Sequence, residues 1–370
     1  MVLLLTAFIS SFLLILLLIR YRHLHEHHTG DHDRSGPQKF HTGSIPRIGG
    51  LGIYLALWIT TLLTYVREPA LGFFLSLILI AALPVSAMGL AEDITKAVSV
   101  KARLFAGFIS GALLLYLFTI TSIRIGVWGL DALFLNLWIA AIFLCIACAG
   151  LANAYNIIDG FNGLASMVGI ISTAAIAFVA FKVGDLALVY GALILIGAVL
   201  GFFIWNYPRG LIFLGDGGAY LIGFVIAALS ILLVYRHPAV SPWFALLVNA
   251  YPIFETLFTI WRRSVNQGRS ASLPDGAHFH SLIYRRVLRW VITTDQPGAS
   301  AELHHHLNNA KTSPYLWFIS SIGVIPALLF WESTPLLIAS TILFVAAYIY
   351  CYRTIVQRRR PWWLASRPRK

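Results

Sequence analysis

Long apolar runs recur from one end of the chain to the other, and this pattern excludes most folds open to 370 residues. A helix needs about 20 apolar residues to cross a bilayer. In lipid, such runs form helices because every backbone polar group must find its hydrogen-bond partner inside the protein. The candidate spans are residues 3–19, 48–66, 70–90, 104–120, 132–152, 164–181, 186–205, 217–235, 240–261, 314–330 and 335–352.

The composition favours a membrane protein over a soluble one. Only 11% of the residues are charged and 59% are hydrophobic, whereas a soluble domain has about 25% charged residues. The run 3–19 has no basic segment before it and no cleavage site after it, so we interpret it as a retained span and not as a signal peptide. We predict an all-α, polytopic transmembrane bundle of about eleven spans, forming a single membrane domain over residues 1–370.

The distribution of Lys and Arg predicts the orientation of the bundle. With the N-terminus periplasmic and the C-terminus cytoplasmic, 23 of the 27 Lys and Arg residues lie on the cytoplasmic side and four lie outside. Such an excess is typical of cytoplasmic loops. The net charge of +12 therefore needs no nucleic acid partner. We interpret the basic tail, residues 353–370, as an anchor to anionic lipid at the interface.

An acidic pair ends the third predicted span, in the segment GLAED over residues 89–93. Acids at this depth are costly to hold near hydrocarbon and are often functional. Asp93, beside Glu92, could bind a metal or accept a proton from a phosphate. The alternative is a solvated helix end that pairs with Lys96 or Lys101.

The segment NAYNIIDGFNGL, residues 153–164, joins the fifth and sixth spans. If the fifth helix continues into it, Asn153, Asn156 and Asp159 lie on one face at three-residue spacing. Such oxygens suit a hard cation such as Mg²⁺. Gly160 permits backbone amides to approach a phosphate at the start of the next helix. A simple turn needs fewer such residues, so we favour a functional role.

The segment FLGDGG, residues 213–218, opens the eighth span. Asp216 lies between glycines, whose backbone is free to wrap around a phosphate or a cation. An N-capping Asp explains the same residues without any ligand. In isolation the motif therefore fits both a ligand-binding loop and an N-capping Asp.

Basic and glycine-rich residues lead into the second span, in the segment KFHTGSIPRIGG over residues 39–50. Lys39, His41 and Arg47 suit an anionic ligand. A basic interfacial loop explains the charges but neither the glycines nor the histidine. We therefore predict that these three side chains bind substrate.

Two histidines, His278 and His280, lie in the largest cytoplasmic loop, in the segment PDGAHFH over residues 274–280. The pair could bind zinc, but the sequence offers no third ligand at a useful spacing. Contact with a phosphate or a nucleotide is the better interpretation. All five segments face the same side by the charge distribution, and together they predict one site for phosphoryl transfer from an anionic nucleotide donor to a lipid.

The order of these motifs resembles that of the polyprenyl-phosphate N-acetylhexosamine-1-phosphate transferases. The shared pattern is HxGxIPRxGG, an acidic pair, NxxNxxDGxxGL, FLGDxG and an HxH loop, from about Lys39 to His280. The resemblance implies that a UDP-N-acetylhexosamine and undecaprenyl phosphate yield undecaprenyl-diphospho-sugar and UMP, with Mg²⁺ or alternatively Mn²⁺. It also implies a bacterial inner-membrane enzyme with a cytoplasmic active site, and a homodimer is one assembly open to it.

The resemblance also implies roles for individual residues. It assigns catalysis to Asp93, Glu92 and Asp159, with Asp93 activating the lipid phosphate; the metal to Asp216 and Asn156; and substrate binding to Lys39, His41, Arg47, Asn153, Gly160, His278 and His280. The chain departs from the family in having Glu92 where an Asp is usual, and its HxH lacks the fuller HxHH pattern. The second difference favours a small N-acetylated sugar for O-antigen, capsule or a similar glycan over a MurNAc-pentapeptide.

A transporter or flippase without chemistry is the main alternative function. Transporters place ionisable residues near the bilayer midplane. Glu255 is the one clear acid inside a predicted span, and its position near a helix end allows a pair with Arg262. Because the other polar residues collect at one face of the membrane, the sequence favours the transferase.

Overall fold

The computed structural model describes residues 1–30, 45–127, 129–266, 278–287 and 301–357. Within these ranges the chain forms helices and no β-strand. The helices are α1 (Val2–Arg20), α2 (Arg22–Thr29), α3 (Gly49–Arg67), α4 (Pro69–Thr95), α5 (Val100–Leu117), α6 (Leu137–Ile158), α7 (Leu164–Lys182), α8 (Leu186–Asn206), α9 (Gly215–Arg236), α10 (Pro242–Val248), α11 (Ala250–Trp261), α12 (Phe279–Leu282), α13 (Ala301–Leu329) and α14 (Thr334–Val356). The predicted all-α transmembrane bundle is confirmed.

The number of spans agrees with the prediction when one broken helix is counted. Ten helices in the described part of the chain are long and apolar enough to cross a membrane. The bent pair of α10 and α11 makes an eleventh. The loop predicted between the ninth and tenth spans, residues 262–313, is shorter than expected, because α13 already begins at Ala301. The predicted tail is described only as far as residue 357.

The predicted ninth span is broken at Asn249, where α10 and α11 meet at an angle of 76°. Pro252 lacks the N–H that would bind the Val248 carbonyl in a continuous helix, and Ser172 Oγ donates to that carbonyl instead, at 2.9 Å. The Tyr155 hydroxyl donates to Asn249 Oδ1 at 3.2 Å. A break at this depth is tolerated because neighbouring helices bind the freed backbone groups.

Helix α9 is the centre of the bundle and is almost entirely buried. Its first turn lies so close to two neighbours that only glycine fits. A Cβ on Gly218 would lie 2.8 Å from the Gly50 Cα of α3, and a Cβ on Gly89 of α4 would lie 2.7 Å from the Gly217 Cα. Small residues allow such close helix contacts in membranes. The glycines of three sequence motifs thus hold three helices together.

Alternation of the spans brings the motifs to one end of the bundle, which we call the motif end. Helices α4 and α6 end there, whereas α3, α7 and α9 begin there. The segments are joined by backbone hydrogen bonds: the Gly49 N–H donates to the Phe213 carbonyl at 3.0 Å and the Phe213 N–H donates to the Pro46 carbonyl at 2.9 Å. The HxGxIPRxGG and FLGDxG motifs therefore form one continuous surface.

Candidate active site

The carboxylate of Asp93 binds the start of α9. It is buried, and it accepts the backbone N–H groups of Asp216 at 2.8 Å and Gly217 at 2.9 Å. Helix N-termini have unsatisfied N–H groups and a positive dipole, so they stabilise a buried carboxylate. Gly215 has φ +74°, and a Cβ on it would overlap the Arg47 carbonyl and the Asp93 carboxylate. The acidic pair and the FLGDxG motif therefore form one structural unit.

Asp216 forms ion pairs with two arginines from different elements. Arg47 Nη2 lies 3.4 Å from Asp216 Oδ1, and Arg103 Nη1 binds Oδ2. Arg47 Nε also lies 4.0 Å from Asp93 Oδ1. Asp216 lies in the first turn of α9 and is not its N-cap, which is Leu214. The N-cap explanation of this motif is therefore wrong.

Arg103 was missed by the sequence analysis. It lies in the first turn of α5, close to Lys101, at the end of the loop that follows α4. Lys and Arg are expected there on topological grounds alone. No local motif therefore distinguishes an arginine that reaches Asp216 from one that only orients the helix.

Glu92 binds the backbone that connects α4 to α5. Its carboxylate accepts the Val98 N–H at 2.7 Å. Lys96 ends α4 with φ 55° and donates from Nζ to the Asp93 backbone carbonyl at 2.7 Å. These contacts give Glu92 a structural role in shaping the turn that positions Asp93, and its catalytic assignment stays a prediction.

The end of α6 carries the Asn–Asn–Asp series as predicted. Asn153 and Asn156 lie in the helix and Asp159 directly follows it, all three partly exposed. Desolvation by the surrounding protein raises the pKa of the Asp159 carboxyl to about 8, although the residue is partly exposed; Arg47 opposes this rise, and Asp216 and Asp93 add to it. The three Asp residues and Arg47 thus share one electrostatic environment.

The turn after Asp159 is fixed by side chains of α8 and α13. Asn206 Oδ1 accepts the Gly163 N–H at 2.6 Å, and Asn309 Oδ1 accepts the Asn162 N–H at 2.9 Å. Ser313 Oγ donates to the Asn162 carbonyl at 2.6 Å. Because its donors and acceptors are satisfied, this turn is held in one conformation.

The two histidines of the HxH loop are buried, and His280 lies against the turn at Gly160. Their rings stack with centroids 5.1 Å apart. A Cβ on Gly160 would lie 3.1 Å from His280 Nε2, and the Phe161 ring lies 5.5 Å from the His280 ring. His278 Nδ1 lies 3.0 Å from Glu255 Oε1. The HxH motif therefore contacts the NxxNxxDGxxGL motif, as a shared site requires.

Lys39 and His41 lie outside the described residues. Of the other predicted site residues, Arg47, Asp93 and Asp216 contact each other directly. Gly160 and His280 contact each other as a second group. Asp159 lies between the two groups: it directly precedes Gly160 in the chain, and the charges of Arg47, Asp93 and Asp216 act on its carboxyl group.

The side chains at the site could hold a magnesium ion whose remaining ligands come from water and substrate phosphates. The described part of the chain has no group of three or more His, Cys, Asp or Glu residues that could enclose a metal. Mg²⁺ is usually held by one or two carboxylates together with water and substrate phosphates. Asp216 and Asn156, which offer carboxylate and amide oxygens at this end of the bundle, are consistent with such a partial set and not with a zinc cage.

An apolar groove of about 750 Å³ leads along the bundle to the site. Its walls come from α6, α9, α10 and α11, and Asn153 lies at the motif end. At the opposite end, Arg124 Nη2 donates to the Val234 and Val240 carbonyls at 3.2 and 3.3 Å. The groove side chains Leu257 and Ile260 are exposed on the outer surface of the bundle, as lipid-facing apolar residues would be.

Fold and site together define a polytopic membrane protein in which a cluster of aspartates and arginines lies at the end of an apolar groove. The family model described as glycosyl transferase family 4 matches residues 75–234. A probable undecaprenyl-phosphate N-acetylglucosaminyl 1-phosphate transferase of Bacillus subtilis is 27% identical over 284 residues, covering 76% of this chain and 77% of the relative.

Two further relatives extend the comparison. A decaprenyl-phosphate N-acetylglucosaminephosphotransferase of Mycobacterium leprae is 30% identical over 276 residues, which is 65% of this chain and 66% of the relative. A phospho-N-acetylmuramoyl-pentapeptide-transferase of Lactobacillus gasseri is 27% identical over 341 residues, which is 88% of this chain and 98% of the relative. The chain belongs to glycosyl transferase family 4.

Proposed function

We propose that this protein transfers an N-acetylhexosamine 1-phosphate from a UDP-sugar to undecaprenyl phosphate and releases UMP. The observation that carries the proposal is the apolar groove, which ends at Asn153 on the helix that leads to Asn156 and Asp159. A groove of this kind suits a long isoprenoid chain, whereas the centre at its end suits phosphates. The named relatives act on polyprenyl phosphates and N-acetylated sugars.

In this reaction, an oxygen of the lipid phosphate attacks the β-phosphorus of the UDP-sugar. The bond between the β-phosphorus and the oxygen bridging to the α-phosphorus breaks, and UMP leaves with that oxygen. Asp93 accepts the proton of the lipid phosphate when this group is protonated. Because the α9 amides and Arg47 hold the Asp93 carboxylate in place, little rearrangement is needed when the acceptor arrives.

Arg47 and Arg103 bind the pyrophosphate of the donor. In the structure both guanidinium groups contact Asp216, so they are already concentrated where the donor phosphates would lie. Arginine binds phosphate through two parallel N–H groups and stays charged at any physiological pH. Their charge stabilises the negative charge that develops on the leaving UMP.

Asp216 and Asn156 are the residues that would hold Mg²⁺, or alternatively Mn²⁺. When bound, the ion supplies charge neutralisation on the two donor phosphates. His278, His280 and the Gly160 turn form the side of the site that would contact the nucleotide-sugar. Lys39 and His41 complete the basic part of the site in this proposal.

The finer assignment follows from the charge distribution and from the short HxH motif. With 23 Lys and Arg residues predicted on the same side as the motif end, the enzyme lies in the bacterial inner membrane with its site facing the cytoplasm. The product is then the first lipid-linked sugar of a surface glycan such as O-antigen or capsule. The absence of the fuller HxHH pattern favours a small N-acetylated sugar over a MurNAc-pentapeptide.

An exchange experiment tests this function. Membranes containing the full chain are incubated with labelled UMP, a UDP-N-acetylhexosamine and undecaprenyl phosphate, with and without Mg²⁺. Label entering the UDP-sugar only when lipid phosphate and Mg²⁺ are present supports the proposal. No exchange with any of several UDP-N-acetylhexosamines would overturn it, and uptake of the sugar nucleotide into proteoliposomes without a lipid product would favour the transporter.

A further inference from the structure

Glu255 is a buried acid that binds the first residues of the HxH loop helix. It lies on α11 and is 1% exposed. Its Oε1 accepts the Phe279 N–H at 3.1 Å and lies 3.0 Å from His278 Nδ1. The hydroxyl of Tyr348, on α14, donates to Oε2. Because an unpaired charge buried among apolar helices is very costly, these three donors account for its presence.

Two of the three donors belong to the first residues of the loop helix α12. The Phe279 N–H is one of the unsatisfied amides at the start of that helix, so Glu255 caps it from outside the segment. A carboxylate only accepts hydrogen bonds, so His278 must carry its proton on Nδ1. Nε2 is then the ring atom that remains to contact a ligand.

The fixed loop helix carries a second histidine to the site. His280 stacks on His278 with the two ring planes 10° apart, and its Nε2 lies against Gly160. Asp159 precedes that glycine. A continuous series of contacts therefore leads from Glu255 through the two histidines to the turn that carries a predicted catalytic residue.

Helix α11 also forms part of the groove wall, through residues on its other faces. Ile253, Leu257 and Ile260 line the groove, whereas Glu255 faces the loop and α14. A general distortion of α11 would therefore disturb both substrates. A change confined to the contact between Glu255 and the loop would disturb only the ligand that the loop binds.

We propose that Glu255 is a positioning residue for donor binding: it sets the tautomer of His278 and holds α12 so that both histidines meet the nucleotide-sugar. This inference rests on the proposed function. It adds that the acid inside the ninth span belongs to the donor side of the reaction and not to a transport path or to the acceptor side.

The variant Glu255→Gln tests the proposal with almost no change in volume. Because both loop donors meet the same atom, Oε1, the amide oxygen of glutamine replaces it only as a weaker, uncharged acceptor, while the new amide N–H group faces the Tyr348 hydroxyl. Loss of one charge-assisted hydrogen bond corresponds to about a 10- to 100-fold effect. We expect the KM for the UDP-sugar to rise by that factor while the KM for undecaprenyl phosphate stays unchanged.

Tyr348→Phe is the matched control, because it removes a hydrogen bond from the same buried carboxylate and keeps the ring that packs on Phe279 of the loop helix. We expect it to lower the melting temperature and to leave the donor KM at the wild-type value. A rise of the donor KM in both variants, or of both KM values in Glu255→Gln, would overturn the positioning role and indicate general destabilisation.

A double-mutant cycle provides a second measurement. Because Glu255 acts partly through His278, Glu255→Gln should have a smaller effect in a His278→Ala background than in the wild type. Additive effects of the two substitutions would contradict the proposal. The wild-type reaction serves as the reference: if it yields no lipid product with any UDP-sugar, the proposed function fails, whereas an active wild type with additive variants removes only the role of Glu255.

Discussion

The carboxylate of Asp93 accepts the backbone N–H of Asp216 at 2.8 Å, so the end of α4 and the start of α9 are held together by the two acids themselves. They are 123 residues apart in the chain. One acid therefore positions the other: replacing Asp93 affects both the structure and the chemistry, whereas replacing the Asp216 side chain leaves the backbone N–H that Asp93 binds.

Asp93→Asn should reduce both stability and turnover. The amide oxygen can accept one N–H of α9, but the amide nitrogen faces the second donor, and an unsatisfied buried donor costs about 1–3 kcal/mol. Loss of a general base reduces the rate by about 10²–10⁴-fold. Thermal unfolding in detergent and initial rates of UMP release measure the two effects. Wild-type turnover in this variant would remove Asp93 from catalysis.

Asp216→Asn should abolish turnover while the folded protein is retained. The neutral side chain can still fill the space between Arg47 and Arg103, and its backbone N–H still binds Asp93. It provides a much weaker site for a hard cation, because Mg²⁺ prefers carboxylate oxygens. Size-exclusion profiles compare folding, and exchange over a range of Mg²⁺ concentrations measures activity. Exchange at the wild-type level and wild-type Mg²⁺ dependence would contradict the metal assignment.

Arg103→Met should weaken donor binding more than Arg103→Lys. Methionine keeps the long apolar stem but loses the charge, whereas lysine keeps the charge but loses the planar fork. We expect an increase of about 10- to 100-fold in the donor KM for the methionine variant, which corresponds to one charge-assisted contact. Substrate titrations at saturating lipid phosphate measure this change. Equal donor KM values in all three proteins would show that Arg103 only orients α5.

Gly215→Ala should inactivate the protein beyond the cost of its backbone strain. Gly215 and Gly184 both have positive φ, +74° and +77°, but a Cβ on Gly184 has no atom within 4 Å. Gly184→Ala therefore measures strain alone, which is about 1–2 kcal/mol. In Gly215→Ala the new methyl group also displaces the Asp93 carboxylate. Melting temperatures and exchange rates are compared between the two variants, and equal effects on both would contradict the close approach at Gly215.

Gly150→Leu should block the groove without destabilising the fold. Gly150 lines the groove on α6, and a Cβ there has no atom within 4 Å. Leucine is also the better helix former, by about 0.8–1 kcal/mol. We expect a higher KM for undecaprenyl phosphate and an unchanged KM for the UDP-sugar. A wild-type acceptor KM would show that the isoprenoid chain lies elsewhere.

Most of the fold could be predicted because apolar length alone identifies a span. The extension of α6 to Ile158 could be predicted too, since Asn153 and Asn156 continue a helical spacing. The break at Asn249 could not, because both halves of the ninth span are apolar and the effect of Pro252 depends on which neighbour binds the freed carbonyl. The early start of α13 was missed because residues 301–313 are polar.

The site was harder to predict where partners are distant in the sequence. Motif order brought Asp93 and Asp216 to one side of the membrane, but their direct contact depends on the angle at which α4 meets α9. Glu255 binds His278, which lies 23 residues further along the chain, beyond the end of its helix. No helical periodicity predicts such a contact, and the expected partner was Arg262.

Mass analysis of the lipid product tests the central claim most directly. Purified full-length protein is given a UDP-N-acetylhexosamine, undecaprenyl phosphate and Mg²⁺, and the lipid and nucleotide products are identified together. We predict undecaprenyl-diphospho-N-acetylhexosamine together with UMP. Undecaprenyl-monophospho-sugar together with UDP would contradict the account, because the bond broken would then be the one between the sugar and its phosphate.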